Sequence, residues 1–195
     1  NSDTLGKISS AYKLNVSNAL AESAIEMITN RLTNFVESVS VKDISAIISD
    51  NWSELNALGS RLVSIEQTGD LTPITMTATT LSGSVDTLTK FVNAYALNVT
   101  DVEASDAMTI SGMSSDVTLA VKDTAANISS YIADLQQLGT TVTAIELTAP
   151  GQLQLTALEV LENKDAIEKI ADVNLHVTEV AVSSLGRILE IDGVA

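Results

Sequence analysis

The chain has 195 residues, a formal charge of −15, 45% apolar residues, 3% aromatic residues and no cysteine. The charge opposes binding to nucleic acid and to anionic lipid surfaces, and the lack of cysteine excludes disulfides, thiolate metal sites and cysteine nucleophiles. The apolar content is ample for a packed core but holds no run of about eighteen residues that would insert in a membrane.

In chain order, Val39 and Val41 alternate as a strand does, and Asp43 follows at an N-cap position. Ile44, Ile47, Ile48, Leu55 and Leu58 then fall on one helical face, and Gly59 closes that helix. A strand is predicted over 62–65, then an irregular Thr/Pro stretch through Ile74 and Met76, then a helix from Asp86. Leu97 and Val99 mark another strand, which leads into a short Ala-rich helix around 104–110. The series then begins again. Leu119 and Val121 form a strand, Asp123 caps, and Ile128, Ile132, Leu135 and Leu138 make a helical stripe ending at Gly139.

The recurrence is visible residue by residue. Val41-Lys42-Asp43 returns 80 positions later as Val121-Lys122-Asp123, with Leu55 and Leu135, Gly59 and Gly139, and Glu66 and Glu146 at the same shift. Ala11-Tyr12 and Leu14-Asn15-Val16 return 83 positions later as Ala94-Tyr95 and Leu97-Asn98-Val99. A degraded third copy has Asp165, Lys169, Leu175 and Val177 where the second has Asp86, Lys90, Leu97 and Val99. The chain thus reads as a little over two copies of a unit of roughly eighty residues.

Strands alternating with helices predict parallel pairing through right-handed crossovers. The expected fold class is α/β, with parallel strand-helix repeats stacked as an α/β solenoid and residues 1–195 forming one repeat-built unit. The alternative is two compact α/β repeat domains, dividing the chain into 1–112 and 113–195.

No residue is assigned a catalytic, cofactor-binding or metal-binding role. Asp43 and Asp123 read as helix caps, favoured by the free amides and positive dipole end of a helix. His176, the single histidine, lies in an alternating strand where the matched positions hold Asn15 and Asn98, so it reads as an outward polar residue. Glu66 and Glu146 recur one copy apart, which marks scaffold geometry rather than one glycosidase-like pair. Ser82-Gly83-Ser84 and Ser111-Gly112-Met113 lack the lysine and second glycine of a phosphate loop and read as turns. Asn15, Asn51, Asn98 and Asn127 begin Asn-X-Ser/Thr sequons, and Trp52, opposite Ile132 in the second copy, reads as a packing residue. No cofactor is implied; the acidity leaves divalent cations, calcium among them, as natural counter-ions, although a solvated acidic surface is the commoner reading.

Three segments carry a family resemblance: 121–128 (Val-Lys-Asp-Thr-Ala-Ala-Asn-Ile), Ala133-Asp134-Leu135-Gln136, and Ile145-Glu146-Leu147-Thr148. They resemble a repeat of very large proteobacterial surface proteins of the haemolysin-type or RTX-like kind, and the 90–102 stretch resembles the segment preceding it in those arrays. The resemblance implies an adhesin, surface-layer or matrix segment, secreted or on the bacterial cell surface, without catalytic residues. The chain lacks the Gly-Gly-X-Gly-X-Asp nonapeptide of RTX proteins, and the first copy has Ile44-Ser45-Ala46 where the second has Thr124-Ala125-Ala126. Its start at Asn1, without initiator Met or leader, reads as a piece of a longer protein.

The functional expectation is a non-enzymatic structural or adhesive repeat segment whose partners are neighbouring repeats and an unidentified protein or glycan surface. The alternative is a secreted toxin or binding module that recognises a receptor or glycan through the solenoid face.

Overall fold

A computed structural model describes residues 12–29, 35–70 and 72–191. Its strands are β1 (Leu14–Ala19), β2 (Val36–Ile44), β3 (Leu62–Thr68), β4 (Ile74–Thr77), β5 (Ala96–Val102), β6 (Asp116–Asp123), β7 (Val142–Leu147), β8 (Leu153–Thr156) and β9 (Leu175–Thr178). The helices between them are α1 (Ala21–Thr29), α2 (Ser45–Asp50), α3 (Trp52–Ala57), α4 (Ala78–Ser82), α5 (Val85–Leu88), α6 (Ala107–Ser111), α7 (Ala125–Leu138), α8 (Ala157–Glu162), α9 (Lys164–Ile167) and α10 (Val182–Ile188).

The strands do not form one continuous stack. They separate into sheets of order β1-β2-β3, β4-β5-β6-β7 and β8-β9, with parallel pairing of β1 to β2, β2 to β3, β6 to β7 and β8 to β9. The expectation of a solenoid of stacked repeat rungs is overturned. The chain forms two compact α/β units, one of Asn1–Ile74 with Leu81–Ala96 and one of Thr75–Thr80 with Leu97–Ala195.

The physical reason lies at the outer edge of β3. There the neighbouring chain offers a single backbone bridge, Ile65 to Phe91, made by Ile65 N–H to the Lys90 carbonyl (2.8 Å) and Val92 N–H to the Ile65 carbonyl (3.0 Å). Two residues on, the side-chain amide of Asn93 takes the place of a strand. Its Oδ1 accepts from Gln67 N–H (3.2 Å) and its Nδ2 donates to the Gln67 carbonyl (2.7 Å). Backbone groups satisfied in this way need no ladder, and the sheet stops. At β7 the corresponding contact is again one isolated bridge, Ile145 to Ile170.

Local chemistry accounts for the helices. Thr124 caps α7, its hydroxyl accepting from Asn127 N–H at 3.2 Å, and Ile128, Ile132 and Leu135 bury one stripe. Gly139 ends the helix at φ 54°, a region that side-chain-bearing residues avoid. The single helix expected after Asp43 is instead two, α2 and α3. Asn51 donates its Nδ2 to the Ile47 carbonyl (2.9 Å) and has φ −107°, ψ 15°, a side-chain bond that competes with the helical ladder. The Thr-rich stretches expected to be irregular contain β4 and β8, and Thr156 with Glu159 forms a capping box that starts α8 directly from β8.

Burial alternates along the strands, so that Leu119 and Val121 are enclosed while Thr118, Ala120 and Lys122 are only partly covered. Parallel sheets are usually covered on both faces, yet here alternate positions stay wet. Hydroxyls there serve the backbone where register slips. Thr143 donates to the Leu119 carbonyl (3.0 Å), beside the shift between Leu119 and Ala120.

Candidate functional site

Among the described residues the buried carboxylates are Asp43 and Asp123, and each does structural work. Asp43 Oδ2 accepts from Ala21 N–H at 3.0 Å, so it caps α1 rather than the helix that follows it in sequence. Asp123 Oδ2 accepts from Ala104 N–H at 3.0 Å, while its Oδ1 accepts from Thr124 N–H (2.7 Å) and Asn127 Nδ2 (2.8 Å). The cap expected for the following helix is thus passed to Thr124 in α7, and α2 has no side-chain cap. The aspartates tie the end of one strand to the start of the preceding helical segment.

Glu66 and Glu146 are engaged across neighbouring strands. Lys42 Nζ lies 2.7 Å from Glu66 Oε1, and Lys122 Nζ lies 3.0 Å from Glu146 Oε1. The hydrogen bond and charge of Glu146, with a smaller contribution from Asp101, raise the Lys122 pKa above its ordinary value. His176 projects from β9 into solvent, in register with Gln154. Trp52 is 3% exposed, donates its indole N–H to Ser84 Oγ (3.0 Å) and stacks on Phe91 at 6.3 Å between centroids, which makes it a core residue. Phe91 in turn stacks on Tyr95, whose pKa burial raises. Three sequon asparagines, Asn51, Asn98 and Asn127, already commit their amide nitrogens to hydrogen bonds within the chain.

What remains accessible is a set of open clefts. One, of ≈ 610 Å³, lies in the first unit between the end of α3 and the α4–α5 segment, lined by Asn56, Ser60, Asp86, Thr87, Thr89 and Lys90 among others. A second, of ≈ 870 Å³, lies in the second unit at the carboxyl end of β7, where Glu146, Pro150, Gln152, Asp172 and Asn174 face it. A third, near Ser114, Ser115 and Thr140, measures ≈ 250 Å³. Small-molecule sites run from about 300 to 1,000 Å³, which admits the first two and leaves the third short. In the β7 cleft, Glu146 is paired with Lys122, and Gln152 donates to Asn174 Oδ1 at 3.2 Å.

Among the described residues no group of three or more His, Asp or Glu side chains is placed to hold a metal ion. No helix among them is long and apolar enough to cross a membrane. The fold and surface define a pair of α/β units whose interior acids are structural and whose open surface is hydroxyl- and amide-rich. Comparison of the chain with protein-family models, with curated proteins and with solved structures finds no match.

Sequence reasoning passed over the first-unit cleft. Its signal is a set of differences between matched positions: Asn56, Val85, Thr87 and Thr89 stand where the second unit has Gln136, Lys164, Ala166 and Glu168.

Proposed function

We propose that this chain is a non-enzymatic recognition module of a larger secreted or cell-surface bacterial protein, binding a receptor protein or glycan through the polar surface of its α/β units. The observation that carries this reading is the division of polar groups. Asp43 and Asp123 are consumed by structural bonds, whereas clefts of ligand size remain open and lined by hydroxyl, amide and charged side chains. The resemblance of the 121–128 stretch to large proteobacterial surface proteins supports the secreted setting. The same resemblance favours a second reading, an adhesive or structural segment whose binding depends on copy number.

The test is monovalent binding of the purified chain to immobilised glycans and to intact cells. Saturable binding by the monomer, about micromolar for a protein receptor or on the order of millimolar for a single sugar ring, supports the recognition module. Binding that appears only after the chain is clustered on a multivalent carrier supports the adhesive segment. Absence of binding in both formats refutes both.

A further inference from the structure

The two units solve the same packing problem with different side chains. In the second unit Gln136 donates to Asp165 Oδ2 (3.1 Å) and accepts from Ala166 N–H (2.9 Å), so its amide bridges α7 to α9 and occupies the Asp165 carboxylate. In the first unit the matched residue is Asn56, one methylene shorter. Its amide donates instead to the Gly83 carbonyl (3.1 Å) and accepts from the Thr87 hydroxyl (2.6 Å). Asp86, the counterpart of Asp165, is exposed, and its carboxylate has no partner among the described residues.

Around that carboxylate the lining is polar. Lys90 gives one of its three ammonium protons to the Gly59 carbonyl and keeps two for a ligand. Ser60 adds a hydroxyl, Thr89, whose hydroxyl proton goes to the Asp86 carbonyl (2.7 Å), adds an acceptor, and the exposed Val85 adds one apolar patch. A carboxylate acceptor, an ammonium donor and flanking hydroxyls, without a second charge of either sign, match a ligand that both donates and accepts through many neutral groups. That is the chemistry of a saccharide. A phosphate or carboxylate ligand would face Asp86 unfavourably, and an apolar ligand would strand Asp86 and Lys90 unsolvated. The volume of ≈ 610 Å³ accommodates one or two sugar rings.

We infer that the cleft between α3 and the α4–α5 segment is a binding site for a neutral saccharide, with Asp86 accepting from sugar hydroxyls and Lys90 donating to them. The inference rests on the recognition-module reading and assigns its glycan branch to one place. A ligand of this size held by few hydrogen bonds binds weakly, with a dissociation constant on the order of millimolar for a single ring.

The experiment is amide-resolved NMR titration of the full chain with the methyl glycosides of glucose, galactose, mannose and fucose, each tested separately. The expected result is saturable shifts of the Asn56 side-chain amide and of the backbone amides of Gly83, Asp86 and Lys90 with at least one glycoside. Asp86→Asn, a surface change that leaves the rest of the spectrum in place, weakens that binding about tenfold by removing charge-assisted hydrogen bonds. Asp165→Asn, in the second unit, leaves it unchanged. Shifts confined to the Glu146–Asn174 cleft, or undiminished in Asp86→Asn, overturn this site and leave the recognition reading standing. No shift with any of the four glycosides overturns the saccharide assignment, and the cell-binding assay then decides the recognition reading separately.

Discussion

Replacing Asp123 with alanine isolates the contribution of the buried carboxylates. The substitution removes the acceptor of three donors at once: Ala104 N–H at 3.0 Å, Thr124 N–H at 2.7 Å and Asn127 Nδ2 at 2.8 Å. The Ala104 bond is buried, so its donor is left without water, at about 1–3 kcal/mol. The other two are partly buried and regain water, each losing about 0.5–1 kcal/mol. The sum is about 3 kcal/mol, which lowers the melting temperature of a chain this size by about 6–12 °C. Amide hydrogen exchange gives the local readout, since the Ala104 amide should exchange about a hundredfold faster at that cost. Asp123→Asn retains one acceptor oxygen and should fall between the wild type and the alanine variant. An Ala104 amide that exchanges no faster in Asp123→Ala, with a melting shift below about 2 °C, would refute the structural role and return Asp123 to the pool of candidate functional acids.

Three further outcomes follow from local geometry. Gly139 lies at φ 54° with open space where a Cβ would stand, so Gly139→Ala should cost about 1–2 kcal/mol from backbone strain alone, measured by denaturant unfolding. Trp52 is the chain's single tryptophan, so its fluorescence follows the first unit; Trp52→Phe should lower stability by about 1–2 kcal/mol through the lost Ser84 bond, with Trp52→Ala costing about 3–5 kcal/mol. Thr156 backbone N–H, then its hydroxyl, donates to Glu159 and lowers its pKa, so the stability that Glu159 contributes is present above the ordinary glutamate value and lost as pH falls through the lowered folded value. The stability difference between wild type and Glu159→Ala should therefore shrink as pH drops from about 6 to about 3.

Local structure was legible in the sequence wherever one residue decides it. The alternation at Val39 and Val41 and at Leu119 and Val121, the stripe from Ile128 to Leu135, and the terminators Gly59 and Gly139 all stand where expected. Strands β4 and β8 were missed because each is only four residues long, so that the alternation of Ile74 and Met76 or of Leu153 and Leu155 spans two apolar positions, and β4 directly follows Pro73. Sheet continuity was not legible because it turns on a side chain: the amide of Asn93 replaces a strand beside Gln67, and nothing in the spacing of apolar residues announces it. The aspartates were recognised as caps, but their recipients, Ala21 and Ala104, lie 22 and 19 residues away in sequence. The first-unit cleft is lined by side chains that differ from those of the second unit, Asn56 for Gln136 and Thr87 for Ala166 among them, and their effect appears only when the amides' partners are known.

The Asn93 amide has a further effect on the behaviour of the protein in crowded surroundings. An exposed β edge is a template onto which another molecule's strand can add, and the end point of such additions is fibrous aggregate. By occupying both hydrogen-bonding groups of Gln67, Asn93 removes a docking point from the outer rim of β3 while adding no apolar surface. Together with a formal charge of −15, which keeps identical molecules apart, this side chain acts as a guard against self-templated assembly.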